Sequence, residues 1–150
     1  MPMKQIYFAG LLFSQAEKEF NLDLTHKLES LGFKVFLPQR DGVEKNKTFY
    51  SKMPKEKRRK LMFELDLEKI KESDVFLFIL DGRVPDEGAC FELGIAYQQK
   101  INQKKKRLII GLQTDIRAAF LDAKLNPMIR CCFDYLAENE KDLIDFLRVA

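Results

Sequence analysis

Leu80-Asp81-Gly82-Arg83-Val84-Pro85-Asp86-Glu87-Gly88-Ala89-Cys90-Phe91-Glu92-Leu93-Gly94-Ile95-Ala96-Tyr97 is the stretch that decides the fold of this chain. Before it runs Val75-Phe76-Leu77-Phe78-Ile79-Leu80, an unbroken apolar segment that reads as a strand covered on both faces. A turn with Gly82 and Pro85 follows, then a segment of helical length with apolar residues nearly all round. Strand, turn and helix in that order is the layout in which α/β proteins hold ligands, outside the carboxyl ends of the strands.

Glu92 is out of keeping with its helix, whose other residues include Ala89, Cys90, Phe91, Leu93, Ile95 and Ala96. An ionised carboxylate is strongly disfavoured away from water unless it has a partner or a purpose. Helical side chains lean toward the N-terminus, so Glu92 lies over Gly88 and Ala89, which leave it open space at the helix mouth. Asp86 sits at the same mouth. Glu92 is not half of a capping box, because Ala89, three residues before it, cannot cap. The plain alternative for Glu92 is a solvated charge on an exposed stripe; for Asp86 it is an ordinary N-cap.

Length and composition set the frame. A chain of 150 residues is expected to be one domain, residues 1–150, with a single substantial core. With 46% hydrophobic and 33% charged residues the composition is that of a globular protein rather than a disordered one. No apolar run approaches membrane-spanning length, and Met1-Pro2-Met3-Lys4 leads directly into a strand, so no membrane association and a cytoplasmic location are expected. One histidine (His26) and three cysteines without a CxxC pair give no basis for a zinc site or a His-dependent triad, and no metal is expected. The cysteines, Cys90 and the adjacent Cys131-Cys132, read as reduced and buried. The basic runs Lys52 to Lys60 and Lys104 to Arg107 read as solvated element boundaries; neither is interleaved with aromatics, and no nucleic-acid partner is expected.

Taken in order, Lys4 to Ala9 reads as strand one. Ser14 and Glu17 form a capping box for a helix with Phe20, Leu24, Leu28 and Leu31 along its stripe, stopped by Gly32. Phe33 to Leu37 is strand two. Residues 39–55 are long for a connection and suggest a lid or binding loop. The helix from about Lys55 to Ser73 carries Met62, Phe63, Leu67 and Ile70 as its buried stripe. Asp66 falls on that stripe; its plain alternative is a stripe-edge residue reaching water. Strand three is the opening apolar run and strand four is Arg107 to Leu112. Thr114-Asp115 caps a short helix through Leu125 that Asn126-Pro127 breaks. Met128 to Tyr135 is strand five, and Glu138 to Val149 a terminal helix. This βαβαβαβαβ alternation predicts a doubly wound, flavodoxin-like parallel sheet of order 2-1-3-4-5 with helices on both faces. The switch point then lies between strands one and three, and its crevice is expected to gather Tyr7, Gly10, Asp86 and Glu92, with Asp66 projecting from the neighbouring helix. No Walker A or GxGxxG pattern is present. Carboxylates in such a crevice suit chemistry at a carbon that develops positive charge, as a glycosidic carbon does.

Tyr7-Phe8-Ala9-Gly10 with Phe13-Ser14, the Asp66 helix ending in Ser73-Asp74, and above all Asp86-Glu87-Gly88-Ala89-Cys90-Phe91-Glu92-Leu93-Gly94-Ile95-Ala96 resemble the nucleoside 2-deoxyribosyltransferases. The likeness runs through nearly the whole chain, and D-x-G-x-x-x-E-x-G-x-A is its specific part. It implies that Glu92 attacks C1′ of a 2′-deoxyribonucleoside, expels the base and holds a covalent sugar until a second base takes it with retention. Tyr7 would hold Glu92 by a hydrogen bond, while Asp66 and Asp86 would contact base and sugar, one of them passing a proton to the leaving base. Gly10, Phe13, Asp81, Gly88 and Met128 would belong to the substrate-binding set. Asn126 would reach the sugar 5′-hydroxyl of a neighbouring subunit, which implies a homo-oligomer. The implied partners are small-molecule deoxyribonucleosides and free nucleobases, with no metal or organic cofactor. Leu11 departs from the proline many relatives carry, and Gln39 or Arg40 are candidates for a base contact from the long loop. Two rival readings stand beside this one. A hydrolase of deoxynucleoside 5′-monophosphates would hold phosphate with residues such as Ser14 and Arg83. A non-catalytic nucleotide-binding module would keep only the crevice.

Overall fold

The computed structural model describes residues 3–43, 47–115 and 125–150. Its strands are β1 (Gln5–Ala9), β2 (Lys34–Phe36), β3 (Val75–Ile79), β4 (Leu108–Leu112) and β5 (Tyr135–Ala137). All pair in parallel in the order β2-β1-β3-β4-β5. The long helices are α1 (Gln15–Ser30), α4 (Lys55–Glu72) and α5 (Glu87–Asn102). One-turn helices α2 (Pro38–Asp41), α3 (Thr48–Ser51) and α6 (Pro127–Arg130) lie in the connections, and α7 (Glu140–Val149) ends the chain. The flavodoxin-like α/β order read from the sequence is the order observed.

Side-chain alternation divides the sheet into two packed faces. Ile6, Phe8, Val75, Leu77, Ile110 and Leu112 face α1 and α7, meeting Leu24, Leu28, Leu143 and Leu147. Tyr7, Ala9, Phe76, Phe78 and Ile109 point the other way and are covered by Ile70 of α4 and by Ala89, Leu93 and Ala96 of α5. Register aligns Phe36, Tyr7 and Phe76 in one row across three strands. Their rings stack, Tyr7 lying 5.6 Å from Phe36 and 5.7 Å from Phe76 between centroids. Tyr7 is therefore fixed by ring packing on both sides before any polar contact is counted.

The helix starts follow local chemistry. Ser14 accepts from Glu17 N while the Glu17 carboxylate accepts from Ser14 N, the reciprocal capping box expected of that pair. Asp86 caps α5, its side chain accepting from Ala89 N at 2.8 Å.

Several expectations are corrected. Asn126-Pro127 opens α6, the asparagine capping and the proline at the first turn, so β5 begins only at Tyr135 rather than Met128. Met62 and Phe63 are exposed, and Ile70 alone of the expected α4 stripe is fully buried. Cys131 is exposed and Cys90 and Cys132 are half-buried, so the thiols are free but not buried. Arg107 is not solvated: it is 2% exposed. The helix expected after Thr114-Asp115 falls mostly on residues 116–124, outside the described residues. Among the described residues no helix is long and apolar enough to cross a membrane.

Gly10 ends β1 with φ +144°, and a β-carbon there would meet the Ile79 backbone oxygen at 3.1 Å and its Cβ at 3.0 Å. This is where the exits of β1 and β3 diverge to open the crevice. Gly10→Ala is expected to lower stability by about 1–3 kcal/mol, measured by urea denaturation with an unchanged m-value.

Candidate functional site

Above the carboxyl ends of β1 and β3 lies a cavity of about 350 Å³, within the size range of small-molecule sites. Its lining comes from separate elements: Gly10, Leu12 and Phe13 after β1, Pro38, Gly42 and Val43 after β2, Met62 and Asp66 from α4, and Asp86, Gly88, Ala89 and Glu92 at the start of α5. Glu92 points inward. Its Oε1 accepts from the Tyr7 hydroxyl at 3.0 Å, a contact between residues 85 apart in the chain. Tyr7 itself is fully buried and stands beneath the cavity floor rather than in its lining.

Electrostatics at the site run one way. Burial pushes the Glu92 carboxyl up to about 8, with Asp66 and then Asp86 raising it further through like charge, while the Tyr7 hydrogen bond lowers it. Burial also pushes the Tyr7 phenol far above its usual range, helped by the charges of Glu92 and Asp66, so Tyr7 remains a donor. Three acids face a cavity whose described lining contains no Lys, Arg or His. Such a surface disfavours anions and favours a centre that gains positive charge.

Of the residues expected from the sequence, Gly10, Phe13, Asp66, Asp86, Gly88 and Glu92 meet in this cavity. Asp81 does not. Its carboxylate accepts from Thr114 N at 2.6 Å, Thr114 Oγ1 at 2.5 Å and Asp115 N at 2.9 Å, tying the β3 exit to the β4 exit. Asp81 lines a second hollow, with Leu11, Ser14, Glu17 and Gly82, on the other side of the β1–α1 connection. Ser14 is thus turned away from Glu92. Arg83 is exposed and lines neither hollow. Gln39 bonds Lys18 O and Asn21, and Arg40 pairs with Glu29 and Asp41, so neither faces the cavity. Asn126 and Met128 lie outside the cavity of their own chain. Asn126 caps α6 by accepting from Met128 N, and Met128 is 82% exposed.

The lining also contains Pro38, Gly42, Val43 and Met62, which the sequence reading did not place there. The length of the 39–55 connection was the signal for the loop residues. For Met62 it was the four-residue spacing to Asp66, which puts both on one helix face. Among the described residues, no group of three or more His, Cys, Asp or Glu could hold a metal ion.

Comparison with known proteins gives the chain its relatives. Its fold matches a conserved protein from Enterococcus faecalis V583 over 99% of both chains, with 26% identity and a TM-score of 0.72. A 2-deoxyribosyltransferase from Bacillus psychrosaccharolyticus matches 93% of this chain and 89% of its own, with 22% identity and a TM-score of 0.73. A CMP N-glycosidase from Clostridium botulinum matches over 97% and 98%, at 22% identity and a TM-score of 0.54. No curated protein matches the chain. The family model for nucleoside 2-deoxyribosyltransferase covers residues 6–145, spanning every element that builds the cavity, and the chain belongs to that family.

Proposed function

We propose that the protein transfers 2-deoxyribose between nucleobases through a covalent intermediate on Glu92. The observation that carries this reading is the half-buried Glu92 carboxylate, held by the Tyr7 hydroxyl at 3.0 Å and aimed into a cavity it shares with Asp66 and Asp86. In the first step a Glu92 oxygen forms a bond to C1′ of a 2′-deoxyribonucleoside. The C1′–N bond breaks, its electron pair leaves with the base, and an acid at the cavity wall, Asp66 or Asp86, supplies the proton. In the second step a nitrogen of the incoming base attacks C1′ from the opposite side, its proton passes to the wall carboxylate that gave one up in the first step, and Glu92 departs as the carboxylate. Two inversions give net retention. Tyr7 keeps the carboxylate in line by donating to one oxygen and leaving the other for C1′. The reaction as written consumes no metal or organic cofactor.

The acid-rich lining supports a neutral nucleoside over a nucleotide, because a 5′-phosphate would enter without a described cation to meet it. Ser14 and Arg83, the residues a phosphate-binding relative would need, both lie off the cavity. In this reading Asn126, which lies outside its own chain's cavity and caps α6, serves a neighbouring copy, and the working enzyme is a homo-oligomer.

Incubating the protein with deoxyinosine and adenine is expected to yield deoxyadenosine. Glu92→Ala should cut that rate by at least about 10³-fold while nucleoside still binds. A 2-fluoro-2-deoxy nucleoside should leave a sugar adduct on Glu92 by mass spectrometry. Base released into water with no deoxyadenosine would instead point to a hydrolase, and turnover unchanged in Glu92→Ala would remove the nucleophile.

The pH dependence has a definite sign. Attack needs the Glu92 carboxylate, so kcat/KM should rise with pH through about 8, and fall again where the acid that protonates the leaving base has lost its proton. Asp66→Asn removes a like charge and should move that rise to lower pH. Stability should run the other way. The folded state holds a proton on Glu92 that the unfolded chain releases from about 4.5 upward, so Glu92's contribution is complete below 4.5 and is lost as pH rises to about 8. Glu92→Gln, which does not titrate, should therefore gain in Tm over the parent across that interval, with no further gain above it.

A further inference from the structure

We propose that Arg107 is a positioning residue that sets the spacing of Asp66 and Glu92 by clamping α4 to α5 one helical turn behind the two acids. The guanidinium lies between the helices at the amino end of β4 and all five of its N–H groups are used. Nε donates to Ser73 O at 3.1 Å. Nη1 donates to Ala96 O at 3.1 Å and to Gln99 Oε1 at 2.8 Å, and Nη2 to Ile70 O and to Lys71 O at 3.2 Å. Ile70 follows Asp66 by four residues and Ala96 follows Glu92 by four. Each bonded carbonyl is thus one turn, about 5.4 Å, along the same face from an acid of the cavity.

The partners are chosen in a way that bears on function. Ile70 and Lys71 lie in the last turn of α4, where a cation is favoured; Ile70 O also accepts from Ser73 N at 3.2 Å and from Ser73 Oγ at 2.8 Å, and Lys71 O from Lys105 Nζ. Ala96 is in mid-helix, so its carbonyl needs no rescue; the bond to it links α5 to α4 rather than finishing a helix end. A planar fork with five fixed donors holds two helices at a set distance and angle, which an ammonium with three donors does not. No carboxylate is among its hydrogen-bond partners, so the clamp acts on the acids through helix position and not by pairing with them.

The groups that face Glu92 are Tyr7 from β1, Asp66 from α4 and Asp86 at the cap of α5. Of these only Asp66 comes from the helix that the clamp ties to α5. If the helices part, Asp66 recedes and Glu92 ionises more easily.

The test is a titration of the Glu92 carboxyl by carbon-13 NMR in the full chain, its signal assigned by loss in Glu92→Gln. This readout needs no turnover, so it stands apart from the transfer reaction, on which only the kinetic arm rests. Arg107→Lys is expected to lower the Glu92 midpoint by about half a pH unit or more, since the like-charge repulsion weakens. In an Asp66→Asn background the same change should add nothing, because the distance it alters no longer matters. In the kinetic arm kcat should fall about tenfold or more with KM within about twofold, as expected of misplacement rather than lost binding. A lower Tm with the Glu92 midpoint unmoved would show a merely structural arginine and overturn the proposal. So would a midpoint shift of equal size in the Asp66→Asn background, which would mean water entry rather than spacing. Should Arg107→Lys not fold, Gln99→Leu removes the one side-chain acceptor of the clamp. A downward shift of the midpoint there supports the proposal and an unmoved midpoint overturns it.

Discussion

The hydrogen bond from Tyr7 to Glu92 joins the sheet to the helix above it, and the site depends on it. A carboxylate taken from water loses several kcal/mol of solvation, of which one neutral donor returns about 1–3 kcal/mol. The balance is visible in the Glu92 carboxyl, which stands well above the ordinary range despite the bond. Burial wins and Tyr7 offsets only part of it. What the bond supplies is direction: with Tyr7 stacked between Phe36 and Phe76, its hydroxyl has a fixed position and Glu92 must come to it. The aromatic row therefore belongs to the site although none of the three rings touches the cavity.

The same logic explains why the acids arrive from different elements. Asp86 is held by its cap bond to Ala89 N, Asp66 projects from α4, and Glu92 descends from the second turn of α5. Gly88 leaves space beside Asp86, whose Oδ2 lies 3.2 Å from where a β-carbon on that glycine would stand. A larger residue there would press on the cap and crowd the mouth through which Glu92 looks. Charges that repel one another in a partly enclosed pocket are costly, and the fold bears that cost by bringing each acid from a different anchor: Asp86 from its cap bond, Glu92 from the Tyr7 hydroxyl and Asp66 from the packed helix α4.

Much of this was legible beforehand. Apolar runs bounded by Gly and Pro, separated by helical segments, fix a parallel sheet, and handedness leaves few strand orders. Ser14 with Glu17 and Asp86 before Ala89 announce two helix starts by side-chain chemistry alone. The misreadings share a physical cause. Periodicity tells which residues share a face but not whether that face meets core or cavity, so the stripe that predicts a buried Met62 in fact borders the crevice there. Asn126-Pro127 both ends helices and begins them, and only the tertiary path selects the second use. Asp81 sits one residue beyond the apolar run, at a position that reads as site-facing. Its three bonds to Thr114 and Asp115 need the β4 exit brought alongside, which no local pattern reveals. Arg107 was hidden in a run of lysines whose composition suggests solvent, whereas its planar donor set suits a place where many carbonyls converge.

The last point bears on where a protein can afford a buried cation near a half-buried acid. A guanidinium set against Glu92 would have stabilised the carboxylate, lowered its proton affinity and made it a weaker nucleophile toward a sugar carbon. It would also have occupied the oxygen that the proposed reaction needs. Arg107 instead lies behind the acids and spends its donors on carbonyls, so its charge is compensated locally by helix ends and by Gln99. Glu92 keeps the repulsion of Asp66 and Asp86 and its raised proton affinity, and the helices that carry the acids stay in register. Separating the charge that fixes the frame from the charges that face the ligand lets one fold hold an electrostatically strained site on a well-satisfied core.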